Sequence, residues 1–125
     1  GVASNAIDGD PATFWHTEWR RSKPDHPHFI AIDLGETIEI AGFSYLPRQD
    51  AKGGIIDTYE FYVSTDGVHW GKAVAQGRFD NIENNPIQQV VRFNKTASGR
   101  FVKLLSTHAI VDQPFAGAAE IGIMR

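Results

Sequence analysis

The 125-residue chain has no cysteine, a single methionine and no basic run longer than Arg20-Arg21. Without thiols there are no disulfides, no thiolate nucleophile and no cysteine-based zinc site. Twelve Lys and Arg against fifteen Asp and Glu leave a net charge of -3. With no clustered cations, the chain carries no electrostatic footprint for nucleic acid or for an anionic membrane surface. No apolar stretch approaches the roughly 20 residues of a membrane-spanning helix, and no signal peptide opens the chain. Internal repeats are missing too, which excludes a propeller or a solenoid. Apolar residues at 42% and charged residues at 22% are ordinary globular values, so the expectation is one folded domain over residues 1–125.

What is present is period-two alternation of β-branched and aromatic residues, punctuated by Gly, Pro, Asn and Asp clusters. It predicts strands over Phe29–Leu34, Ile38–Pro47, Thr58–Ser64, Val68–Trp70, Ala73–Ala75, Gln88–Phe93, Arg100–Ser106 and Ala119–Met124. Tyr59, Phe61 and Val63 fall on one face of the third strand and Glu60, Tyr62 and Ser64 on the other, so one face is core. Asp66-Gly67 supplies the positive φ of a tight turn, which predicts a hairpin joining Tyr62 to Trp70. No helical apolar stripe interrupts the pattern. The expected fold is all-β, an antiparallel β-sandwich or jelly roll whose loops gather at its two ends.

Three loop clusters carry the chemistry. In the first, Asp8-Gly9-Asp10-Pro11 is a turn that aims two carboxylates at one point, and Thr13 and a main-chain carbonyl near Asn5 add oxygens. Glu120, from the last strand, would close the shell and tie the chain ends together. Calcium wants six to eight such oxygens, so calcium rather than zinc follows if a metal is present. Taken alone, the local pattern favours a helical turn capped by Asp10 with Pro11 at its first position, since short acidic turns are common. It is not an EF-hand loop, whose third acidic position and distant Glu are missing.

The other two clusters are Leu46-Pro-Arg-Gln-Asp50 and Gln113-Pro-Phe-Ala-Gly-Ala-Ala-Glu120. A galactose-type sugar presents C–H groups on one face and hydroxyls at its edge, so its site needs an aromatic platform and a few fixed polar groups. Phe115 offers the platform, the Arg48 guanidinium a two-donor fork, and His16 a single hydrogen bond, with Trp19 beside it. Each residue alone also fits a structural role: Trp15 and Trp19 as core, Arg48 as a solvated strand end, Phe115 tucked under its loop. His26 and His28, separated by Pro27, are loop and strand-edge residues. Asn94-Lys95-Thr96 matches a glycosylation acceptor by chance.

Taken together, Asn5 to Trp19, Pro27-His-Phe-Ile-Ala-Ile-Asp-Leu-Gly35, Leu46-Pro-Arg-Gln49, Tyr59-Glu-Phe-Tyr-Val-Ser64 and Ala118-Ala-Glu-Ile121 resemble the coagulation factor 5/8 type C, or discoidin-like, domains. They are most similar to the family 32 carbohydrate-binding modules attached to bacterial glycoside hydrolases, and the likeness runs over nearly the full length. The resemblance implies a discoidin-like jelly roll of the galactose-binding-domain type that binds sugar without catalysis. It implies a structural Ca2+ held by main-chain oxygens of Asn5 and Ala119 and side chains of Asp8, Asp10, Thr13 and Glu120. It also implies binding of galactose or N-acetylgalactosamine at His16, Arg48 and Phe115, with Trp19 beside them.

A secreted, periplasmic or cell-surface bacterial location follows from the resemblance, with a catalytic domain in the same parent chain as partner. The chain begins at the calcium loop, so it is expected to be a piece of a larger protein. Galactose-type members often carry an Asn soon after the Arg, and Ala51-Lys52-Gly53-Gly54 has none, which leaves the identity of the sugar open. The alternative is a discoidin-type phospholipid- or protein-binding adhesion module, but that needs several exposed apolar residues with basic neighbours. An enzyme would need a general acid among Asp8, Asp10 and Glu120, which bound calcium would hold ionised.

Overall fold

The computed structural model describes residues 15–16, 28–47, 49, 55–79, 82, 87–110 and 117–125. Among these residues seven strands run in chain order: β1 (Trp15–His16), β2 (His28–Leu46), β3 (Ile56–Ser64), β4 (Ala75–Arg78), β5 (Gln89–Ala109), β6 (Gly117–Ala118) and β7 (Glu120–Met124). Every named strand pairs antiparallel with its neighbours. The fold is the antiparallel jelly-roll sandwich expected from the alternation.

The two longest strands build both layers. The first part of β2, His28–Asp33, pairs with Phe101–Ser106 of β5, and β3 lies on the far side of β5 with β4 beyond it. The later part of β2, Gly42–Tyr45, pairs with Gln89–Arg92 of β5 on one side and with β7 on the other. Phe43 from the second layer stacks on Phe61 from the first with ring centroids 4.2 Å apart, and Tyr59 stacks on Phe79 at 4.6 Å. Phe43 and Phe61 are completely buried, each contributing roughly 1.5–3 kcal/mol through loss of water contact. The expected split of β3 holds for Tyr59 and Phe61, which are buried in the core, and for the half-buried Glu60 and Tyr62. It fails at the strand's end, where Val63 is only half-buried and Ser64, expected with Glu60 and Tyr62, is buried with its hydroxyl donating to the His69 carbonyl.

Several of the strand predictions need correction. Phe29–Leu34 and Ile38–Pro47 are one strand, as are Gln88–Phe93 and Arg100–Ser106. The Gly35 that reads as a break is a bend: it sits at φ 87°, and the register against β5 shifts between Asp33 and Ile38. A glycine inside a long strand lets it turn the corner between layers without ending it.

Val68–Trp70 is not a strand, and no hairpin joins Tyr62 to Trp70. Gly67 has the expected positive φ of 75°, but the Asp66 side chain takes the donors that a ladder would need. Its Oδ1 accepts from the backbone N–H groups of Val68 at 2.8 Å and His69 at 2.9 Å. These bonds, led by that of His69, hold the Asp66 carboxyl far below the usual range. The chain loops round instead, and Thr58–Phe61 of β3 pairs with Ala75–Arg78, so β4 starts two residues later than the predicted Ala73–Ala75.

On the outer face, Arg100 clamps Asp33 across β5 and β2 through Nε to Oδ1 at 2.7 Å and Nη2 to Oδ2 at 2.8 Å. The Arg100 bond, then the Gly35 N–H, lower the Asp33 pKa to about 2. A depressed folded pKa gives stability that is complete above the unfolded value, ~3.9, and is lost as pH falls through the folded one. Chemical denaturation of Asp33→Asn should therefore show a shallower loss of stability between pH 4 and 2 than the unsubstituted chain. Equal slopes would mean the clamp contributes nothing in solution.

Candidate functional site

The ends of six strands meet at one rim. Trp15 pairs with Ala118 and His16 with Gly117, bringing the first cluster onto the last. Gly117 also forms a parallel bridge to Ile55, just before β3. The Ala119 N–H donates to the Leu46 carbonyl at 2.8 Å, and Leu46 is the β-partner of Glu120. On the other flank, the Ile110 N–H donates to the Ile55 carbonyl at 2.9 Å, just past the end of β5. The main chain at His16, Leu46 and Gly117 is thereby gathered into one patch. In sequence, Arg48 follows Leu46 by two residues and Phe115 precedes Gly117 by two, so each is joined to this patch by two residues of chain.

Tyr45 is the linchpin under the rim, a role that no local motif marks. It falls on the core face of β2 with Phe43 and Pro47, and all three are fully buried. Its hydroxyl donates to the Gly117 carbonyl at 2.6 Å and accepts from the Ile56 N–H at 3.0 Å, while its ring stacks on Phe79. Burial pushes the phenol well above its ordinary range, so it stays neutral and keeps its proton for Gly117. Tyr45→Phe keeps the ring but strands two buried backbone groups, costing about 1–3 kcal/mol. The expected outcome is a lower urea midpoint with an unchanged slope, together with broadened amide signals at 117–120. An unaltered midpoint would show that water takes the hydroxyl's place.

A second brace stands on the neighbouring strands. Asp57, whose side chain is 7% exposed, receives His108 Nδ1 at Oδ1 (2.7 Å), and Arg78 Nη2 approaches its other oxygen at 3.9 Å. It ties β3 to β5 next to the Ile56–Ala109 pair. Neither residue stands in a local motif, because the two lie 51 positions apart in sequence.

Of the residues expected to act, the structure describes His16 as a backbone position in β1, and Ala119 and Glu120 in full. Ala119 is completely buried. Glu120 opens β7 and is half-buried. Asn5, Asp8, Asp10, Thr13, Trp19, Arg48 and Phe115 lie outside the described residues, as does His26. His28, expected at a strand edge, is the first residue of β2 and is buried opposite Ser106.

Known proteins share this arrangement. The model of the F5/8 type C domain matches residues 1–121. A sialidase of Micromonospora viridifaciens is 39% identical over 98% of this chain, and a galactose oxidase of Gibberella zeae is 34% identical over 98%. The chain spans 18% of the length of each of these two relatives. Among solved structures, a family 32 carbohydrate-binding module from Clostridium perfringens in complex with GalNAc-β-1,3-galactose superposes with a TM-score of 0.89. It is 34% identical, with 100% of this chain and 84% of that one covered. Another family 32 module of C. perfringens, in complex with galactose, gives a TM-score of 0.83 at 28% identity, covering 97% of this chain and 82% of that one. The chain belongs to the F5/8 type C domain family as a family 32 carbohydrate-binding module, a non-catalytic binding domain.

Proposed function

We propose that this module binds terminal galactose or N-acetylgalactosamine residues of glycans at the rim where β1, β2 and β6 converge, and so keeps an attached glycoside hydrolase near its substrate. The single observation that carries the proposal is the backbone convergence of His16, Leu46 and Gly117. It brings Leu46, two residues before Arg48, and Gly117, two residues after Phe115, to the strand that bears His16. A ring platform, a guanidinium fork and an imidazole, with Trp19 alongside, are what a sugar with one apolar face and an edge of hydroxyls requires. Similar modules solved with GalNAc-β-1,3-galactose and with galactose support that sugar class.

The attached catalytic domain is supported by relatives several times longer than this chain, one of them a sialidase. A parent enzyme acting on external glycans would be secreted, periplasmic or on the cell surface.

Calcium is part of the same proposal. Asn5, Asp8, Asp10, Thr13, Ala119 and Glu120 would hold it. The donors are all hard oxygens, and Glu120 is a half-buried carboxylate beginning a strand beside the β1–β6 pair, which suits Ca2+. Its role would be structural, fixing the N-terminal cluster against β7.

Isothermal titration with galactose, N-acetylgalactosamine and fucose tests the sugar class. A shallow single-sugar site leaves little surplus over the costs of association, so dissociation constants between about 1 mM and 1 μM are expected. Heat only with fucose, or with none of the three, would remove galactose-type glycans as the ligand.

A further inference from the structure

A separate cleft opens on the side of the sandwich, between two strand edges that have no further partner among the described residues. One wall is the approach to β4 and β4 itself, the outermost strand of the first layer, and the other is the early part of β5, the edge of the second. The cleft encloses about 620 Å³, within the roughly 300–1,000 Å³ of small-molecule sites. It stays open because the first wall is lined by Ala73, Val74 and Ala75, which are too small to reach across. Val74 and Phe93 give it an apolar floor, with Phe93 continuing into the core against Phe61 at 5.8 Å.

Polar groups line both walls beside that floor. Lys72 and Gln76 come from the β4 side, and Arg92 and Asn94 from β5, where they alternate with the inward Val91 and Phe93. All four are exposed, and among the described residues none has a side-chain partner. The acid in the lining, Glu60, is already engaged by the Tyr62 hydroxyl. Among the described residues, two cations and two amides therefore line one apolar-floored space against a single carboxylate, Glu60, in a chain whose net charge is -3.

We propose that this cleft is a second saccharide site, distinct from the rim, that takes an acidic sugar unit bearing a carboxylate. Arg92 provides a planar two-donor fork for a carboxylate and Lys72 a point charge from the opposite wall. Asn94 and Gln76 each offer a donor and an acceptor to ring hydroxyls, and Val74 with Phe93 receives the C–H face. The choice of a sugar over other carboxylates rests on the carbohydrate-binding reading of the module, whereas the cleft and its charge do not depend on the rim.

The test is chemical-shift mapping on the 125-residue chain with sodium glucuronate, using glucose and sodium acetate as probes of the sugar and of the charge alone. The expected result is saturable millimolar shifts at amides 72–76 and 91–94 with glucuronate, absent with glucose and acetate and undiminished in saturating galactose. Lys72→Ala/Arg92→Ala, both at exposed positions, should weaken glucuronate at least tenfold while the remaining spectrum stays folded. Three outcomes would overturn the proposal: no glucuronate shifts in these segments, equal shifts with acetate (an adventitious ion only), or glucuronate shifts confined to residue 16 and 117–120 and displaced by galactose. Failure of galactose at the rim with glucuronate retained in the cleft would sink the galactose reading and support this one.

Discussion

Phe115→Ala is expected to abolish measurable binding of galactose and N-acetylgalactosamine. An aromatic ring against a sugar face adds about 0.5–1.5 kcal/mol to the area it removes from water, and that burial contributes a further 1–2 kcal/mol at ~25 cal/mol per Å². Losing about 2–3 kcal/mol weakens affinity some 30- to 150-fold. From a millimolar start, that lies beyond calorimetric detection. Arg48→Lys is the sharper control, since it keeps the charge and removes the fork, and a loss near tenfold is expected because an ammonium cannot bond two vicinal hydroxyls in one plane. Titrations of both variants decide the matter. If Phe115→Ala binds like the parent chain, the platform lies elsewhere, and if Arg48→Lys does so, the guanidinium geometry is irrelevant.

Chelation by EGTA should lower the thermal midpoint by on the order of 10 °C, and added calcium should restore it. An ion bound only by the folded state stabilises by RT ln(1 + [L]/Kd), about 4 kcal/mol when free calcium exceeds its dissociation constant a thousandfold. One kcal/mol corresponds to roughly 3–5 °C for a domain of this size. Magnesium should substitute poorly, because it demands a tight octahedron and surrenders its water reluctantly. Glu120→Gln removes one negative oxygen from the shell, so its midpoint should fall towards that of the chelated protein and respond less to EGTA. Scanning calorimetry with and without chelator reads all four states. A midpoint indifferent to EGTA would leave Asp8-Gly9-Asp10-Pro11 as the capped helical turn that its local pattern also allows.

The two experiments bear on different links of one chain of causes. Calcium would secure the N-terminal cluster to β7, and the rim would present the sugar contacts. Sugar affinity should therefore fall on chelation, whereas the calcium-dependent midpoint should survive Phe115→Ala.

Alternation along β3 was enough to separate Tyr59 and Phe61 from Glu60 and Tyr62, because a strand's side chains are forced to opposite faces by covalent geometry alone. Composition excluded disulfides, clustered cations and membrane-spanning helices, and the alternation located most of the extended segments, though not where one strand ends and the next begins, nor the short β1 and β6. Local chemistry misled where a side chain could serve two ends: Gly35 reads as a stop but bends a strand that continues, and Asp66 reads as a hairpin turn but captures the donors a hairpin would have used.

Only the tertiary structure decided that Tyr45 would bind Gly117 across 72 positions, that Asp57 would hold His108, and that two sheet edges would leave an open cleft between Lys72 and Arg92. These depend on which strands become neighbours, a choice made by burying the whole apolar surface at once rather than by any stretch of the chain. Periodicity and turn chemistry act over a few residues and are written in the sequence, whereas the partners of a hydroxyl or the gap between two edges exist only once the layers have closed on their core.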